Sequence, residues 1–177
     1  MTRQILLVAK RDDIAAEVTT GLAGTPDLSF FRVASPERAI ALIDGEHGDE
    51  YGPYSLVIAD NDTHPAGGFY LAKELAWRRD EGHAAPPLLL ILARPQDTWL
   101  SDWSRADAYC VRPVDPFDLA EAVEALSAGE PLPELPGIGG EPATAPYGLD
   151  DDRERARRRA ATSGERARPI SPKGESS

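Results

Sequence analysis

Asp60 sits where a carboxylate can do chemistry. It follows Ser55-Leu56-Val57-Ile58-Ala59, an apolar run, and a second acid, Asp62, comes two residues later. A carboxylate carried on the end of a buried strand can accept a phosphoryl group, ligate a metal ion or cap a helix. Basic residues close three further apolar runs: Lys10-Arg11 after Ile5–Ala9, Arg94-Pro95 after Leu88–Ala93, and Arg112-Pro113 after Ala108–Val111. Each could offset negative charge at Asp60. A lysine ammonium there replaces a cation's charge but not its octahedral coordination.

The elements that must position these residues alternate. Ile5–Ala9, Leu28–Val33, Ser55–Ala59, Leu88–Ala93 and Ala108–Val111 read as strands, and the continuous apolar ones require cover on both faces. Between them lie helical patterns. Ile14, Val18 and Leu22 recur on one face of 13–23, Ala39, Ile40, Leu42 and Ile43 follow Ser35-Pro36, and Leu71 and Leu75 line 68–79. A weaker helix spans 96–105. The last one follows Asp115-Pro116 and carries Leu119, Val123 and Leu126 inward. Ser35 and Asp115 are N-caps with Pro at the first helical position. Five strands alternating with five helices predict a three-layer α/β/α domain on a parallel sheet. Ligands of such sheets sit at the carboxyl ends of the strands, where Lys10, Asp60, Asp62, Arg94 and Arg112 gather.

Other chemistry is excluded. The chain has 177 residues with 19 basic and 30 acidic side chains, a net charge of −11, the wrong sign for sequence-independent nucleic-acid binding. Its one cysteine, Cys110, forbids an intramolecular disulfide and reads as a small buried hydrophobe inside a strand. His47, His64 and His83 share no metal-ligand spacing and fall in loops. Gly67-Gly68 is a loop hinge before a helix, without a dinucleotide fingerprint or a phosphate-binding lysine. No run reaches membrane-spanning length, so a cytoplasmic location without membrane contact is expected.

A tail follows residue 128. Residues 129–146, GEPLPELPGIGGEPATAP, hold too much Pro and Gly for a helix or a central strand, and the rest to 177 is charged and apolar-poor. Two regions are therefore expected: a folded domain over 1–128 and a disordered tail over 129–177. Arg157–Arg159 lie in that solvated tail. Truncation at Pro133 is expected to leave the domain folded.

Over residues 4–128 the order of pieces resembles the receiver domain of bacterial response regulators, the CheY-like fold. Tyr54–Asp60 looks like that family's acceptor strand, Gly68-Phe69 like its loop glycine, and Ala106–Asp115 like its last strand and turn. The stretch 94–105 is also similar to single-domain receiver-like proteins of actinobacteria. The resemblance implies a five-stranded parallel sheet in the order 2-1-3-4-5. It makes Asp60 the phosphoacceptor, Arg112 the counterpart of the family lysine, Pro113 its following cis proline and Tyr109 its switch aromatic. It also implies a sensor histidine kinase as a protein partner, and a homodimer surface on the fourth helix, fifth strand and fifth helix.

The carry-over is partial. Ala9 and Lys10 stand where the family has two metal-binding acids, Leu92 where it has a Ser or Thr, and the loop proline comes one residue late at Pro65. Asp12 and Asp13 read as helix-capping residues. Mg²⁺ wants hard oxygen ligands, and Asp60 with Asp62 is a thin set, so no resident cofactor and only weak Mg²⁺ binding are expected. Lys10 is expected to line the site and pair with Asp60. The reading is a stand-alone receiver-like protein of phosphorelay signalling, non-enzymatic, with a degenerate site that suits a phosphorylation-independent interaction module. The alternative is a phosphatase resembling haloacid dehalogenases, with Asp60 as nucleophile and Asp62 as acid/base. His64 stands where that family has Thr or Val, and an entire strand–helix–strand–helix unit precedes Asp60. Trp99 and Trp103, four apart on the fourth helix, either pack on the sheet or form an exposed partner platform.

Overall fold

The computed structural model describes residues 1–45, 52–63 and 67–139, all within one compact unit, Met1–Pro146. His47, His64, Pro65 and Arg157–Arg159 lie outside the described residues.

The elements run β1 (Arg3–Val8), α1 (Asp12–Gly21), β2 (Leu28–Val33), α2 (Pro36–Ile43), β3 (Leu56–Asp60), α3 (Gly67–Asp80), β4 (Leu88–Leu92), α4 (Thr98–Ser104), β5 (Ala108–Val111), α5 (Pro116–Ala128) and β6 (Ile138–Gly139). The first five strands are parallel in the order β2-β1-β3-β4-β5, as the resemblance implies. Successive parallel strands are joined by crossover helices, which lie on both faces of the sheet. The apolar continuity of β3 and β4 follows from that cover: every residue of both strands is buried. One face packs Ile5, Leu7, Ile58 and Ile91 against α1 and α5, and the other packs Leu6, Val57, Leu90 and Leu92 against α2 and α3.

Local chemistry sets the helix ends. The Ser35 side chain accepts the Arg38 N–H at 3.3 Å, and Asp115 Oδ1 accepts from Phe117 and Asp118 at 2.9 and 3.0 Å. Gly129 closes α5 in the left-handed region at φ 70°. Asp12 and Asp13 do not cap α1. Arg11 holds the cap position without a side-chain bond, and the two acids occupy the first turn, where the helix dipole favours them. They pair instead with Arg32 and Arg11. At the amino edge of the sheet, buried Asp107 accepts the Leu88 N–H at 2.8 Å and both Arg79 contacts at 2.9 and 3.1 Å.

Two features depart from expectation. The first is α4, which buries Ser101 and Ser104 and exposes Trp99 (60%) and Trp103 (50%). Packing of the tryptophans on the sheet is therefore not what the fold does. Trp103 instead lies 5.8 Å from Phe69, with the Lys73 ammonium 3.3 Å above its ring. The second is β6, a sixth and antiparallel strand on the free edge of β5, inside the stretch expected to be tail. Its segment returns to the domain because Leu132 and Ile138 reach the α1–α5 side of the core and Gly137 N–H binds Asp118 Oδ2 at 2.9 Å. Among the described residues no helix is long and apolar enough to cross a membrane.

Candidate functional site

Asp60 ends β3 with its side chain only 2% exposed. Its carboxylate folds back on the following loop. Oδ1 accepts the Asp62 N–H at 3.1 Å and Oδ2 accepts the Thr63 hydroxyl at 3.3 Å. Asn61 Oδ1 takes the Phe69 N–H at 3.2 Å and Thr63 O the Gly67 N–H at 2.7 Å, which ties the loop to the start of α3. Glycine is needed there twice. Gly67 has φ +73°, and a Cβ on it would stand 2.9 Å from Asn61 O; a Cβ on Gly68 would stand 2.9 Å from Leu90 Cδ2. Burial pushes the Asp60 carboxyl above its ordinary range. The Asp62 charge adds to that, while the Asp62 N–H, Thr63 and Arg112 oppose it.

The arginines at this edge are engaged elsewhere. Arg112 gives Nε and Nη2 to Glu17 Oε2 at 2.8 and 2.6 Å, and Asp13 stands 3.8 Å away. Glu17 Oε1 also accepts the Val114 N–H at 2.9 Å, so one α1 carboxylate holds both the Arg112 side chain and the turn after it. The Arg112–Pro113 bond is cis. Lys10 is exposed and forms no ion pair with Asp60. The expected pairing is absent, and the β1–α1 loop is held from the β2 side, where Arg32 donates to the Ala9 and Lys10 carbonyls at 2.9 and 3.0 Å. The positive fields that reach Asp60 come from Arg11 and Arg112.

The edge therefore carries Asp60, Asp62, Lys10 and Arg112 in sequence-predicted positions, but among the described contacts neither Lys10 nor Arg112 forms a hydrogen bond or ion pair with Asp60. Asp62 is exposed, and Leu92 is buried in the α2–α3 core with no oxygen to offer. Ala9, where a metal ligand would stand, is buried and apolar. Among the described residues no group of three His, Cys, Asp or Glu side chains could hold a metal ion. This donor set does not fit Mg²⁺, which demands several oxygens in near-octahedral geometry. Cys110 is buried, and its thiol is pushed up to about 12 by desolvation and the Glu17 charge, so it takes no part. His83 is exposed. Glu17 and Arg32 are the residues that sequence reasoning missed. Tyr109, half-buried on β5, sets its ring against Gly139 of β6.

Three comparisons place the chain among known proteins. No family model matches it. An uncharacterized response regulatory protein of Mycobacterium tuberculosis is 40% identical over 101 residues, which cover 57% of this chain and 69% of the relative. Among solved structures, the signal receiver domain of a signal transduction histidine kinase from Syntrophus aciditrophicus superposes with a TM-score of 0.60 at 21% identity, over 72% of this chain and 92% of that one. A CheY-like response regulator receiver domain protein from Methanospirillum hungatei gives 0.55 at 21%, over 72% and 95%. The structural matches carry the fold, and the sequence match carries the family.

Proposed function

The chain belongs to the response regulator receiver family of two-component signalling, and from that premise we propose that it acts by binding protein partners without a phosphoryl group on Asp60. The observation that carries this reading is the state of the acceptor's neighbours. Arg112 is committed to Glu17, Leu92 is in the core, and Ala9 and Lys10 offer no metal ligand. Phosphoryl transfer to a carboxylate needs the developing charge neutralised, and the metal normally does most of that. Here Asp60 is buried and bonded to its own loop, a structural role that Asn could fill.

A binding role has support of its own. Trp99 and Trp103 are spent on solvent and not on the core, and tryptophan is the side chain most enriched at protein-binding hot spots. We read the chain as a non-enzymatic, cytoplasmic signalling protein, with a sensor histidine kinase among its partner classes. The net charge of −11 argues against nucleic acid as a partner. A homodimer on α4, β5 and α5 would first have to contend with β6, which already occupies the β5 edge.

The test is incubation of the protein with acetyl phosphate and Mg²⁺, and separately with beryllofluoride, followed by intact mass and by amide spectra of residues around Asp60. Neither a phosphoryl adduct nor a spectral change is expected. A stoichiometric adduct that vanishes in Asp60→Ala would overturn the reading and return the chain to ordinary phosphorylated receivers.

A further inference from the structure

The segment after α5 does something the receiver core does not require. In the five-stranded parallel sheet β5 is an edge, and a free edge presents unpaired N–H and C=O groups to any extended chain that meets it. Here residues 130–139 return and close it. Gly139 pairs with Tyr109 and Ile138 with Cys110, antiparallel. Three contacts select this segment. Ile138 and Leu132 pack on the α1–α5 core, the Gly137 N–H binds Asp118, and Gly139 lies where any Cβ would enter the Tyr109 ring. A Cβ on Gly137 would itself stand 2.8 Å from Asp118 Oδ2. The fit therefore favours glycine, an apolar residue, then glycine, with the Asp118 carboxylate at the first position able to give way.

The same contacts make the cover removable. The ladder is two residues long, and the stretch leading to it carries Pro131, Pro133 and Pro136, which cannot donate backbone hydrogen bonds. Short elements with few backbone bonds open before the core does. A groove of about 560 Å³ lined by Leu132–Pro136, Ile138 and Gly139 runs along the segment.

We propose that residues 130–139 are an intramolecular strap over a β-strand docking edge, and that the edge it covers accepts an extended peptide of the strap's own pattern, an apolar residue flanked by glycines, antiparallel to β5. The strap holds the edge closed in cis. A partner strand of this chemistry takes its place by strand addition, where backbone bonds give affinity and the Tyr109 and Cys110 positions give specificity. This inference goes beyond the phosphorylation-independent reading and stands apart from it, since no contact in it involves Asp60.

The probe is a fluorescein-labelled peptide of residues 132–139, LPELPGIG, titrated into full-length protein and read by anisotropy. Wild type binds it weakly, because the strap competes in cis. Gly139→Val drives the strap off the Tyr109 ring and binds at least tenfold more tightly. Adding Tyr109→Ala to Gly139→Val restores room for the strap and returns binding towards the wild-type level. Ile138→Cys places a thiol opposite Cys110, at a cross-strand spacing compatible with a disulfide. Oxidation with copper phenanthroline locks the strap and abolishes binding, and reduction restores it. Circular dichroism checks each fold, and Ile138→Asp releases the strap by charge should Gly139→Val unfold the domain. Equal peptide affinity in wild type and both released variants would overturn the proposal. So would a folded Ile138→Cys chain that forms no intrachain disulfide.

Discussion

Replacing Glu17 by Ala removes three hydrogen bonds at once: two from Arg112 and one from the Val114 N–H. The side chains of the pair are 24% and 25% exposed, which places them between two regimes. Exposed ion pairs are worth about 1 kcal/mol or less, and breaking a fully buried pair costs about 3–5 kcal/mol. The expected loss for Glu17→Ala is therefore about 2 kcal/mol near neutral pH, of which about 1 kcal/mol is the Val114 bond. Glu17→Gln keeps an oxygen for Val114 and is expected to lose only about 1 kcal/mol. The pH dependence has a definite sign. Burial pushes the Glu17 carboxyl up, but the Val114 N–H and Arg112 outweigh it, so the folded value lies below the ordinary 4.5. A depressed carboxyl contributes stability above its unfolded value and loses it as pH falls through the folded one. Urea unfolding followed by far-UV circular dichroism, stepped from neutral to acid, reads the gap between wild type and Glu17→Ala. It should narrow below pH 4.5 without vanishing, because a protonated Glu17 still accepts from Val114. A gap that stays constant into acid, or is negligible at neutral pH, would refute the assignment of Glu17 as the holder of Arg112.

Asp60→Asn should stabilise the domain near neutral pH, because burial raises the Asp60 carboxyl and its ionised form is the costly one. A raised carboxyl loses stability as pH climbs from its unfolded value through the folded one, so the advantage of Asn should fade towards the ordinary 3.8 in thermal melts. Gly68→Ala puts a methyl against Leu90 Cδ2 and the Asp60 carbonyl, and a loss of about 1–2 kcal/mol is expected in urea after about 1 kcal/mol of helix-propensity gain. Ala9→Asp with Lys10→Asp adds hard oxygens beside Asp60 at a buried position. That double variant should be destabilised without metal and regain stability with Mg²⁺, about 2.7 kcal/mol at a hundredfold excess over Kd, whereas wild-type melts should not move. A wild-type melt that rises with Mg²⁺ and flattens in Asp60→Ala would show a metal site assembled from other ligands.

The alternation of strands and helices was legible because each element repeats its signal. β4 is apolar at every position and β3 at every position before Asp60, and Ser35 and Asp115 mark helix starts with a cap and a proline. The site was legible only at the level of position. Which side chain holds Arg112 depends on Glu17, 95 residues away in sequence and marked by no periodic pattern. Arg32 was equally silent, since an arginine in an edge strand reads as a solvated charge until β2 lies beside the β1–α1 loop. The pairing of Lys10 with Asp60 followed from adjacency at the sheet edge, which does not say whether a long, exposed side chain turns towards the site or towards solvent. β6 escaped notice because its two paired residues sit in a Pro/Gly run that carries no alternation. The tryptophans of α4 ran against the rule that the larger apolar face turns inward. Only the structure shows that two serines take that place.

The inverted face of α4 has a spectroscopic consequence. All three tryptophans of the chain, Trp77, Trp99 and Trp103, are at least half exposed in the folded state. Half or more of each side chain meets water in the folded state, so unfolding is expected to shift the emission wavelength less than it would for core indoles, with Trp103, set against Phe69 and Lys73, contributing what shift there is. The same indoles stand dark-adapted to the opposite event. Any macromolecule that settles on α4 carries Trp99 and Trp103 out of water, and the emission moves to the blue only then. The chain thus contains its own optical probe of docking.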